Sequence, residues 1–227
     1  MELIHRSFSG KIFRPQPEIL VDESLKFFAI LTPWGPQFQN QNMLDSLLEN
    51  YKTLCSDQQI TFVTPHLKCL SSEENILRTS VLNLNHKIHA NLNSESETLF
   101  GYELVCGVFQ EQKVLLIQVG HPYIYLDRPQ ISLQPLGHVL DLATGFSQVP
   151  KNLPPLPSQL LGIYPDMHFS VFTLPIKEQD QLLFISRSSI PPELSQISRE
   201  QRTLKNITLT LSEDQPDMPF WVGLLKH

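Results

Sequence analysis

Few side chains in this sequence stand at spacings that chemistry requires. His86 and His89 lie at i, i+3, which puts both imidazoles on one side of a helix and can hold a metal ion. No third histidine or acid is spaced beside them, so they read as polar residues flanking an apolar stripe. His121 is followed by Pro122 in a turn, where it can serve as an acid–base group or simply anchor a hydrogen bond. Ser186, Ser188 and Ser189 surround Arg187 at the end of the apolar run Leu182-Leu183-Phe184-Ile185. No G-x-S-x-G elbow accompanies them, which argues against a serine hydrolase. Cys55, Cys69 and Cys106 are odd in number and too widely spaced for a zinc site or a disulfide framework. With only nine glycines, the chain carries no phosphate-cradling loop.

The elements that position these groups follow from period and punctuation. Phe27–Leu31 reads as a buried strand, stopped at once by Thr32-Pro33-Trp34-Gly35-Pro36. Leu44, Leu47, Leu48, Tyr51 and Leu54 repeat at helical spacing. A second helix is predicted from Ser71, where Ser71-x-x-Glu74 has the form of a capping box, with Leu77, Val81, Leu84, Ile88 and Leu92 as its apolar stripe. From Thr98 the period shortens, and Leu99–Phe109, Lys113–Val119 and Tyr123–Leu126 read as neighbouring antiparallel strands. The proline-dense stretch Val149–Pro157 suits an extended surface connection. Strands are then expected at His168–Leu174, Gln181–Ser186 and Asn206–Leu211, with a helix over Pro192–Arg202. This order predicts an α+β layered domain over residues 1–211. Residues 212–227 read as a tail that docks on the domain through Phe220 and Trp221.

Composition narrows the class. At 227 residues and 41% hydrophobic content the chain can bury one sizeable core. A formal net charge of −6 without blocks of like charge weighs against nucleic-acid binding. Neither a signal-like apolar run nor a membrane-length one occurs, and a soluble cytoplasmic protein is expected.

Six places in order, between residues 10 and 211, resemble the metal-dependent Ser/Thr phosphatases of the type-2C or PPM class. Gly10, Arg14 and Glu18 match the family's opening Gly, Arg and first acid, while Ile19 stands at the second, metal-ligating acid. Phe28–Pro36 resembles "FAVADGMGG", with Thr32 at the central Asp and Pro33 at the Gly whose carbonyl also ligates. Thr98-Leu99 is similar to the "TTL" start of the middle strands. Gly120-His121-Pro122-Tyr123-Ile124-Tyr125-Leu126 is similar to "GDSRAYL", with His121 at the Asp. Leu161-Gly162 matches an "LG" pair, and Asp180 with Leu182–Ser186 fits "D-x-LLL-x-S", with Arg187 where an Asp follows. Asn206–Leu211 resembles the closing "DNITVVV", with Lys205 at its Asp.

The resemblance implies a four-layer α/β/β/α sandwich of two antiparallel sheets flanked by helices. It also implies two divalent cations held by carboxylates, which activate a bridging water for attack on phosphorus. Ile19, Thr32, Arg187 and Lys205 do not supply those carboxylates. A divalent ion ~4 Å from a guanidinium meets roughly 8 kcal/mol of repulsion at an effective dielectric near 20. The expectation is therefore a pseudophosphatase with no catalytic residues and no metal, binding a protein partner such as a phosphoprotein. Arg187 and Lys205 near Arg14 can form an anion site, or they can point outward or pair with acids such as Glu18 or Asp180. The alternatives are an active hydrolase rebuilt on Glu18, His121 or other acids, and a structural or oligomerisation module.

Overall fold

The computed structural model of the chain describes residues 1–10, 15–35, 43–56, 65–94, 99–137 and 157–226. In chain order the strands and helices are β1 (Glu2–Phe8), β2 (Glu18–Asp22), β3 (Phe27–Trp34), α1 (Met43–Ser56), α2 (Ser72–Ile88), β4 (Gly101–Phe109), β5 (Lys113–Val119), β6 (Tyr123–Asp127), β7 (Gln134–Leu136), β8 (Ser170–Pro175), β9 (Gln181–Ser186), α3 (Glu193–Gln196), α4 (Leu204–Asp214) and β10 (Phe220–Lys226). The first sheet runs β1-β10-β9-β6-β7 and the second β2-β3-β4-β5-β8, all pairs antiparallel.

Side-chain alternation along these strands builds the layers. In β3, Phe27, Ala29 and Leu31 pack with Leu47 of α1 and Leu77, Leu84 and Ile88 of α2. Phe28 and Ile30 point the other way and meet Leu182 and Phe184 of the first sheet. The Phe28 and Phe184 rings lie 5.7 Å apart across this middle core. On the far side of the first sheet, Leu183, Ile185, Val222 and Leu224 pack against Leu194, Ile207 and Leu211 of α3 and α4. Two sheets face each other and helices cover both outer faces, giving the four-layer α+β sandwich. No helix among the described residues is long and apolar enough to cross a membrane.

Local signals explain the helix starts. Ser71 Oγ accepts from the Glu74 amide while the Glu74 carboxylate accepts from the Ser71 amide, closing the capping box of α2. Strands β4, β5 and β6 lie within two residues of the expected bounds. The strand expected at His168–Leu174 is Ser170–Pro175, and the helix expected over Pro192–Arg202 stops at Gln196 because Ile197 is extended. A separate 3₁₀ turn then covers Arg199–Gln201. The segment Val149–Leu156 lies outside the described residues.

Two expectations are corrected. Asn206–Leu211 is not a strand but the body of α4. Thr203 caps it by accepting from the Asn206 amide, and Leu204, Ile207 and Leu211 form the stripe that packs inward, leaving Leu209 52% exposed. The closing strand is instead Phe220–Lys226, which pairs with β1 on one side and β9 on the other. Residues 212–226 are therefore the end of α4, a turn and a central strand rather than a docked tail, and no boundary falls at residue 211. Trp221 and Phe220 are buried because they belong to that strand.

Candidate functional site

The second sheet's inward face is apolar along its length and turns polar at one end. Thr32 of β3 is paired with Glu103 of β4, and Gln118 lies on neighbouring β5 opposite Val105. All three follow the alternation that points Phe28, Ile30, Val105 and Leu116 toward the first sheet. Each is nearly or wholly buried. The chain then crosses to the first sheet through Gly120-His121-Pro122, with a cis peptide before Pro122. Gly120 has φ +70°, and a Cβ there would sit 2.9 Å from Glu103 Cγ, so only glycine fits.

Glu103 and His121 are both fully buried, and the His121 Nδ1 to Glu103 Oε1 distance is 2.8 Å. The His121 backbone N–H donates to the same oxygen at 2.9 Å. Glu103 Oε2 is buried with no hydrogen-bond partner among the described residues. Gln118 Nε2 donates to the Pro122 carbonyl at 2.8 Å, fixing the crossing turn. Tyr123 meets the His121 ring edge-on at 5.1 Å. A carboxyl group placed between two sheets is costly unless it is hydrogen-bonded, which explains why the His121 amide and imidazole both meet one of its oxygens.

Arg187 follows the last residue of β9 and has 0% exposure. Its Nη2 donates to Asp214 Oδ2 at 2.9 Å, and its Nε lies 3.1 Å from Met218 Sδ. Nη1 is buried without a hydrogen-bond partner among the described residues. Burial pulls the guanidinium's pKa below the ordinary arginine value, and Asp214 opposes that pull. The side chain is thus enclosed beneath the end of α4 and the turn into β10. Its carboxylate partner is Asp214, not Glu18 or Asp180. Asp180 instead takes a two-pronged contact from Arg128, with Nη2 to Oδ2 at 2.6 Å.

The other expected site residues divide. Ile19 packs into the middle core, whereas Glu18, next along β2, faces the α1–α2 side. There its charge, after burial, helps raise the Tyr102 hydroxyl pKa. Thr32 is buried beside Glu103, and Pro33 is buried opposite Tyr102. Lys205 is exposed in the first turn of α4, nine residues and ~14 Å of helical rise from Asp214. Lys205 is thus on the surface while Arg187 is paired with Asp214. Arg14 lies outside the described residues. His86 is exposed while His89 Nδ1 sits 3.2 Å from the Gly162 carbonyl, so the pair does not converge. All three cysteines are free thiols.

Because α4 replaces the expected closing strand, the acid ahead of that strand is Asp217 rather than Lys205. Gly10, at φ +58°, packs so tightly against the Asp217 carbonyl that a Cβ would overlap it. Strand β4 begins at Gly101, two residues after Leu99, and Thr98 lies outside the described residues. Sequence reasoning missed Glu103, Asp214 and Asp217. Glu103 did leave a signal, as a single acid within the apolar run Tyr102–Val105. Among the described residues no three acidic, histidine or cysteine side chains come together as a metal group.

Solved structures share this arrangement. The Ser/Thr phosphatase MsPP from Mycobacterium smegmatis, solved with cacodylate, superposes with a TM-score of 0.66 at 15% identity, covering 100% of this chain and 98% of its own. The fold is that of the PPM phosphatases. PppA, described as a key regulatory component of the type VI secretion system (T6SS) in Pseudomonas aeruginosa, gives 0.66 at 13% identity, covering 100% and 97%. The catalytic domain of PstP, solved with two manganese ions, gives 0.61 at 15% identity, covering 99% and 97%. No family model and no curated protein sequence matches the chain. At such identities the PPM likeness is one of fold, and the chemistry must be argued from the residues present.

Proposed function

We propose that this PPM fold is catalytically silent and acts by binding a protein partner in phospho-signalling, such as a phosphoprotein. The observation that carries this reading is the enclosed Arg187. It fills the position where the resembled strand holds a metal-binding Asp, and its charge is met by the partly exposed Asp214.

The donor set supports the same conclusion. Manganese and magnesium need several ionised oxygens at a common point. Ile19 offers none, Thr32 offers a neutral hydroxyl, and Glu103 Oε1 already serves His121. Asp217 lies in the turn before the closing strand, and Asp214 is engaged by Arg187. Two divalent ions do not fit these residues. The enclosed guanidinium also leaves phosphate no direct route to Arg187, so partner recognition falls to the outer surface. Three free thiols are consistent with a reducing, cytoplasmic setting.

A second reading, an active phosphatase rebuilt on Glu103 and Asp217, draws on the buried and unpartnered Glu103 Oε2. Phosphate release from an aryl phosphate and a phosphopeptide with excess manganese separates the two. A silent site gives release no faster than buffer, whereas turnover lost on Glu103→Gln would establish the rebuilt site.

A further inference from the structure

Among the described residues, strand β1 is one of the two edge strands of the first sheet. All seven of its residues pair in unbroken register with β10, and among the described residues no strand pairs its other side. Edge strands are ordinarily blunted by short length, proline, bulges or charged side chains that repel a second strand, because their free N–H and C=O groups template another strand. No proline or bulge interrupts β1. Its two charges are opposite in sign and symmetric about Ile4, with Glu2 two residues before it and Arg6 two after. Both are exposed, and neither makes an ion pair with a described residue.

We propose that β1 pairs antiparallel with β1 of a second copy about a two-fold axis at Ile4, joining the two first sheets into one continuous sheet. In that register Glu2 of each copy faces Arg6 of the other, Leu3 faces His5, and Ile4 faces Ile4. Directly opposed residues on antiparallel strands lie within ion-pair reach, so the two charge pairs fix the register. Moving the axis to His5 sets Glu2 against Phe8 and Ile4 against Arg6. Moving it to Leu3 sets Glu2 against Ile4. Only the Ile4-centred arrangement pairs the charges. The contact is isologous and closes on itself, so it ends at a dimer instead of propagating. It is independent of whether the PPM site is silent.

The test is the mass of the full chain by sedimentation at high micromolar concentration. The expected value is twice the 26.0 kDa chain mass. Glu2→Arg and Arg6→Glu each set like charges opposite one another and return the protein to monomer. The double exchange, Glu2→Arg with Arg6→Glu, restores the dimer. The milder Glu2→Gln and Arg6→Gln weaken association without reversing charge, and an unchanged cooperative melt verifies that every variant is folded. A wild-type chain that stays monomeric overturns the proposal. So does a dimer that ignores both reversals, or one that the double exchange fails to restore.

Discussion

At the scale of single residues, the buried Glu103–His121 pair is the feature most open to measurement. Removing one member of a buried hydrogen-bonded pair costs about 1–3 kcal/mol, because the other is left unsatisfied. His121→Ala and Glu103→Ala are each expected to fall in that range by urea unfolding. The double variant should cost clearly less than the two singles added, and simple additivity would show that the pair is not coupled. Asp180 gives a pH prediction. Burial alone would raise its carboxyl, yet hydrogen bonds from Arg128 and the Lys177 amide hold it below the ordinary 3.8. A carboxyl lowered on folding contributes stability that is complete above the unfolded value and fades as pH falls through the folded one. Stability should therefore drop below about pH 4, and Asp180→Asn should flatten that acid limb in chemical denaturation. An unchanged acid limb would show that Asp180 does not carry it.

Elements explain which parts of the molecule are legible in the sequence. Helix α2 is legible because its capping box and leucine stripe agree. Strands β3, β4, β5 and β9 are legible because they are buried on both faces and read as unbroken apolar runs. Asn206-Ile207-Thr208-Leu209-Thr210-Leu211 misleads because alternating β-branched and leucine residues imitate a strand. Packing of Ile207 and Leu211 on the first sheet overrides that propensity. This distinction is measurable. Ile207→Ala should cost about 2–5 kcal/mol, whereas exposed Leu209→Ala should stay within about 0.5 kcal/mol. A true strand would place 207 and 209 on one face and make both costly. Thr203→Ala should cost about 1 kcal/mol through the lost cap. β1 is hard to read because most of its residues are exposed and it gains order from pairing with β10. Glu103 and Asp217 escape sequence reasoning because their positions depend on strand register and on where β10 begins.

For the whole molecule, the closing strand decides whether the fold stands. Truncation after Leu211 removes β10 from between β1 and β9, so the remaining chain should lose its cooperative unfolding transition in a thermal melt. A cooperative melt near the full-length value would instead make residues 212–227 an appendage. The same strand brings Asp217 and the Met218 turn to the end of α4, where Arg187 is enclosed. The silent reading rests on that enclosure, and calorimetric titration of the full chain with manganese tests it most directly. No saturable heat is expected up to millimolar metal, because the position beside Asp214 already holds a guanidinium. Two-site binding at micromolar manganese, abolished by Asp217→Asn or Glu103→Gln, would contradict a silent site.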